Sequence, residues 1–154
     1  YQNFLNIMQS LTALLQLEIA DAQASKNIID RINCLSDAFH APQLHPATML
    51  TVYLNLAAAF VMQNDADNAL AALQQYCDLA VGISYPISLH GDRFFDRIDE
   101  WLSELDLGVH APRDDKTVRQ GIIDGVAKNP VFSVLADHVK YQHIVEKLTT
   151  VLGG

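Results

Sequence analysis

The chain has 154 residues, 50% of them hydrophobic and 18% charged, which is ordinary for one globular domain that folds without an external staple. That balance excludes a chain made mainly of disordered tail. The formal net charge is −8, and residues 1–92 hold two basic side chains, Lys26 and Arg31, against eight acids, so no basic stripe exists to release counterions from phosphate. Direct nucleic-acid contact by this segment is therefore excluded.

The two cysteines, Cys34 and Cys77, form no CxxC pair and have no regular histidine spacing, so they read as buried thiols in a reducing cytoplasm. No secretory leader pattern opens the chain, and a start at Tyr1 reads as a piece of a longer protein. Residues 1–17 and 38–64 lack formal charge. Gln9, Ser10 and Thr12 interrupt the first stretch, and His45, Pro46, Thr48, Thr51, Asn55 and Gln63 the second, which indicates buried soluble helices rather than membrane spans.

Helical periodicity recurs along the whole chain, and the fold class expected is all-α, one domain over 1–154. A first helix over about 3–21 carries Phe4, Ile7, Met8, Leu11, Leu14, Leu15 and Ile19 at spacings of three and four. Ser25 is expected to cap a second helix reaching Phe39, so that 1–39 forms a hairpin. Pro46 suits the first turn of a third helix, whose apolar residues from Met49 to Met62 run almost all the way round. Asn64-Asp65 turns the chain into a fourth helix with a stripe of Ala66, Ala69, Leu70, Leu73, Tyr76, Cys77 and Ala80, and 46–81 is a second antiparallel hairpin.

Residues 92–151 are assigned to C-terminal helices. Asp92 is the expected cap of an amphipathic helix with Phe94, Phe95, Ile98, Trp101, Leu102 and Leu105 on one face. Gly108 stops it, and Pro112-Arg113-Asp114-Asp115 starts another that runs to about Lys128. On that helix Gly121 and Gly125 each cost about 1 kcal/mol against Ala, and close approach of a neighbouring backbone is the expected compensation. Asn129-Pro130 ends it, and a final helical segment carries Phe132, Leu135, Tyr141, Ile144, Val145 and Leu148.

At residues 50–81 the pattern of Tyr53, Leu56, Ala57, Phe60, Ala69 and Leu73 resembles a tetratricopeptide repeat. Tyr76 stands where that repeat has a small residue, and no Pro closes it. Together with Ser84-Tyr85-Pro86, Leu89-His90-Gly91-Asp92-Arg93-Phe94-Phe95-Asp96, Trp101, Leu105-Asp106-Leu107-Gly108, Ala111-Pro112-Arg113-Asp114 and Asn129-Pro130-Val131-Phe132, the hairpin resembles the C-terminal part of bacterial Xre-type helix-turn-helix regulators over roughly 50–150. The resemblance implies hairpins stacked in a tetratricopeptide-like array, and a sensor or dimerisation module whose DNA reader lies outside this chain. It also implies that Asn55 occupies the inner-helix position from which such domains hold an extended peptide.

No catalytic or metal-binding signature accompanies these helices, so neither an enzyme nor a cofactor is expected. His90-Gly91-Asp92 supplies two ligands where a metal needs three or four, and the carboxylates around Trp101 fall on the polar face of an amphipathic helix. Asn55 is the polar side chain that interrupts an otherwise apolar helix, and its amide can pair with a peptide backbone or bond to a neighbouring helix. Thr51, Leu54, Ala58 and Met62 are expected to line the same side. Trp101, Gly121 and Gly125 are the candidate subunit contacts. The function expected is a regulatory and oligomerising domain of a bacterial transcription regulator, a homodimer binding a protein, a peptide or a small effector; the alternative is a free-standing tetratricopeptide-like adaptor.

Overall fold

The helix that the sequence leaves apolar on every side is the one the rest of the chain surrounds. The computed structural model describes residues 1–105 and 114–154, and places this helix, α4, at Pro46–Met62. Before it come α1 (Gln2–Leu17), α2 (Ala22–Ala38) and the single turn α3 (Ala41–Leu44); after it come α5 (Ala66–Gly82), α6 (Ile98–Ser103), α7 (Asp115–Ala127), a 3-10 segment (Pro130–Leu135) and α8 (Val139–Leu152). The described residues contain no β-strand, and the fold is all-α. In α4, Met49, Leu50, Val52, Tyr53, Leu56, Ala57 and Ala59 are all buried, because α1, α3, α5 and the 3-10 segment each take one side of it. Further along, α5 packs on α8 and α8 on α7, while α2 closes the outer side of α1.

Helices α2, α4, α5 and α7 each start on a side chain that accepts from a free amide of the first turn. Asp65 Oδ1 accepts from Asn68 N at 3.1 Å, and the tight turn before it places Asn64 at φ 57, a left-handed conformation that Asn tolerates. Asp114 accepts from Thr117 N at 2.9 Å and from its hydroxyl at 2.6 Å; these bonds lower the Asp114 carboxyl below its ordinary value. The cap of α2 corrects the expectation placed on Ser25. Asp21 Oδ1 accepts from Gln23 N and Ala24 N, both at 2.9 Å, so the helix begins one turn earlier and α1 stops at Leu17. Ser25 is instead buried, its hydroxyl donating to the Glu18 carbonyl at 2.9 Å.

Three further expectations are corrected. The amphipathic helix around Trp101 is only six residues long, because Asp92 Oδ1 accepts from Phe94 N and Phe95 N and closes a turn there rather than a helix. Cys34 is exposed, and only Cys77 is a buried thiol, raised above its ordinary pKa by that burial. A Cβ on Gly121 would meet nothing within 4 Å, whereas one on Gly125 would stand 3.2 Å from Leu54 Cδ1 and 3.3 Å from the Tyr76 hydroxyl. Neither glycine meets the neighbouring backbone expected there: side chains crowd Gly125, and nothing among the described residues crowds Gly121. Gly108, Pro112 and Arg113 lie outside the described residues.

Tyr76, where a tetratricopeptide repeat has a small residue, is fully enclosed and donates to the Ile122 carbonyl on α7 at 2.7 Å. A second tyrosine, Tyr141 on α8, donates to the Val126 carbonyl at 3.0 Å. Two phenols thus pin α7 in place, one from α5 and one from α8.

Candidate functional site

Helices α1 and α4 do not close completely along their length. Between them lies a groove of about 440 Å³ in which Ala13, Ala47 and Val52 supply apolar wall and Gln9, Gln16, Thr48, Thr51 and Asn55 supply polar groups. Among the described residues no Asp, Glu, Lys or Arg lines it. Its chemistry follows from the uncharged character of both parent helices, since a groove made from these faces offers only amides, hydroxyls and one imidazole.

At the end of the groove opposite His45 stands an amide pair. Gln16 Nε2 donates to Asn55 Oδ1 across the two helices, and Asn55 Nδ2 donates to the Thr51 carbonyl one turn back at 2.8 Å. Asn55 is thus bonded to a neighbouring helix, yet it is only half-buried and retains one N–H and one lone pair. An incoming backbone can use that remaining capacity without an ion pair. Thr12 and Thr51 return their hydroxyls to their own helices, to Met8 O at 2.7 Å and Ala47 O at 3.3 Å, which leaves oxygen lone pairs as acceptors.

His45 closes one end of the groove and also caps α4: its Nδ1 accepts from Thr48 N at 3.2 Å. Burial lowers the pKa of this imidazole, and His90 nearby lowers it further, although a hydrogen bond to its own backbone acts the other way. The ring is therefore held neutral, as an acceptor at Nδ1 must be.

Of the residues singled out from sequence, the groove brings together Asn55 and Thr51. Ala58 and Met62 continue the same strip of α4 at helical spacing, but neither lines the groove; Ala58 is half-buried and Met62 is 61% exposed. Leu54 points to another side, where it packs at the Gly125 notch of α7. Trp101 is 54% exposed on α6, Gly121 faces open space, and Gly125 is taken up by packing inside the chain. The α1 half of the groove was missed, although the polar interruptions Gln9, Thr12 and Gln16, spaced by three and four, carried its signal. His90 is half-buried, with Nδ1 2.9 Å from the Gly91 carbonyl.

Among the described residues, no group of three or more His, Cys, Asp or Glu side chains is placed to hold a metal ion. Nor is any helix long and apolar enough to cross a membrane. Compared with known proteins, the chain matches no family model, no curated protein and no solved structure.

Proposed function

We propose that this chain is the regulatory part of a bacterial Xre-type transcription regulator: a non-enzymatic helical domain that captures an uncharged, extended peptide or a similar small effector between α1 and α4, and that self-associates. One observation carries the proposal, the half-used amide pair Gln16–Asn55 in a groove without formal charge. An extended backbone presents alternating N–H and C=O groups, and an amide answers both from a single side chain. The absence of Lys and Arg from the lining disfavours an acidic peptide.

The hairpins α1–α2 and α4–α5, stacked through α1 and α4, serve in this proposal as successive tetratricopeptide-like units. A peptide seated on both would bind one spacing of the two hairpins better than another, and only that difference in affinity can carry a signal to an attached DNA reader. Trp101, more than half exposed on a short helix, is the side chain available for a second subunit in the cytoplasm.

The test has two parts. The reading frame upstream of Tyr1 should encode a helix-turn-helix domain, and the purified segment should sediment as a dimer. A frame without that domain would favour the free-standing adaptor, and a monomer at all concentrations would remove self-association. Asn55→Ala should abolish peptide capture while leaving the unfolding transition nearly in place. The opposite result would make Asn55 a packing residue.

A further inference from the structure

After α5 the chain runs without regular helix through residues 83–97 and returns over the corner between α2 and α3. It leaves there a cavity of about 730 Å³ with no lining residue in common with the α1/α4 groove. Phe39, Leu44 and Phe94 supply its apolar surface. Phe94 is 74% exposed, an unusual position for a phenylalanine with aromatic neighbours at hand. Its ring stands edge-on to Phe95 (centroids 4.8 Å apart, 86° between planes) and to Phe39 (5.8 Å, 71°), so packing fixes the ring but leaves much of it uncovered.

Charge singles out the same place. Between Arg31 and Arg93 the sequence has neither Lys nor Arg, and Arg93 lines this cavity together with His40 and His90. Among the described residues Arg93, like Arg31, Arg97, Lys116 and Lys140, forms no ion pair, and it is the one of these five that lines the cavity. One oxygen of the carboxylate that shares the cavity, Asp92, is engaged by the strap itself: its Oδ1 accepts from Phe94 N at 2.9 Å and Phe95 N at 2.8 Å. Beside it Arg93 offers an anion a guanidinium with five donors, and the His40 imidazole lines the same cavity.

We infer that this cavity is a second ligand site, taking a small amphipathic carboxylate. The apolar body of the ligand rests on Phe39, Leu44 and Phe94, and its carboxylate sits on Arg93 with His40 and His90 beside it. The cavity also shares Gln43 and His90 with a neighbouring one of about 660 Å³, which gives a longer apolar body room to extend.

Two carboxylate probes, 3-phenylpropanoate and octanoate, and the amine counterpart 3-phenylpropylamine, titrated calorimetrically into the full 154-residue chain, test the inference. At least one carboxylate should bind saturably, and the amine roughly tenfold more weakly or not at all; Arg93→Gln and Phe94→Ala should each weaken the carboxylate by about tenfold or more. Both substitutions lie on exposed side chains, and circular dichroism should show each variant folded. Asn55→Ala should leave carboxylate binding unchanged, which separates this site from the α1/α4 groove. Failure of both carboxylates to bind would overturn the inference, as would equal binding of the amine or wild-type affinity in Arg93→Gln and Phe94→Ala.

Discussion

Replacing Tyr76 by Phe removes one oxygen from the centre of the domain and nothing else. That oxygen donates to the Ile122 carbonyl at 2.7 Å, and Tyr76 is only 2% exposed, so no water replaces it. Burial already raises the phenol pKa far above its ordinary value, which shows how poorly this place accommodates charge. The Ile122 carbonyl lies inside α7 and keeps its helical acceptor role, so the loss is that of one buried neutral hydrogen bond, about 1 kcal/mol, and not the larger cost of an orphaned group. For a chain of this size that lowers the melting temperature by roughly 3 °C. Urea unfolding should show a lower midpoint with an unchanged slope. The same oxygen stands 3.3 Å from the position of a Cβ on Gly125, so Tyr76→Phe should partly relieve the crowding caused by Gly125→Ala. The double variant should be less destabilised than the sum of the two single changes. Additive effects, or a Tyr76→Phe variant as stable as the parent, would refute the pinning of α7 by α5.

Gly121→Ala should stabilise the domain by up to about 1 kcal/mol, since the added methyl meets open space and only helix propensity changes. Gly125→Ala should fall short of that by about 1 kcal/mol because Leu54 and Tyr76 must give way; equal melting temperatures would remove the notch. Ala69→Leu, at a position with no exposure on α5, should overpack the hairpin and cost roughly 1–3 kcal/mol, and an unchanged unfolding transition would contradict the pairing of α4 with α5. His45 contributes a pH dependence of known sign. Its folded pKa lies below 6.5, so its contribution is complete above 6.5 and is lost as the unfolded chain takes up a proton at lower pH, with a slope of at most about 1.4 kcal/mol per pH unit. His45→Asn keeps an acceptor for Thr48 N and should flatten that part of the stability profile between about pH 7.5 and about pH 5; a parallel profile would show that the imidazole titrates alike in the folded and the unfolded chain.

Local chemistry made most of the helices legible. Pro46, Asn64-Asp65 and Asn129-Pro130 mark boundaries by restricting or satisfying the backbone, and the structure places element ends at all three. The all-round apolar character of α4 likewise revealed a helix that others must cover. Ser25 reads in sequence as the cap of α2, but the Asp21 carboxylate, which reaches two amides, takes that role instead. Residues 92–97 read as helix because Phe94, Phe95, Ile98, Trp101 and Leu102 do fit a helical face, whereas the turn that Asp92 closes and the Gly91 N bond to Asp99 at 2.7 Å are decided by side chains acting on backbone. A Cβ on Gly91 would clash with the Phe95 carbonyl oxygen, so this glycine is needed for the bend. At the candidate site, Asn55 and Thr51 were readable because a polar break in an apolar helix is visible in one dimension. Their partner Gln16 lies 39 residues away, and only tertiary packing brings it within reach.

The central claim is that the groove between α1 and α4 captures uncharged extended peptide through the Gln16–Asn55 pair. A displayed library of random peptides, panned on the purified chain and followed by amide chemical-shift mapping of the enriched peptides, tests it most directly. The expected result is an enriched family with few charged residues whose binding shifts Gln9, Gln16, Thr48, Thr51 and Asn55 and is lost in a folded Asn55→Ala variant. Enrichment of nothing above background, or of peptides that map to other residues and still bind that variant, would contradict it.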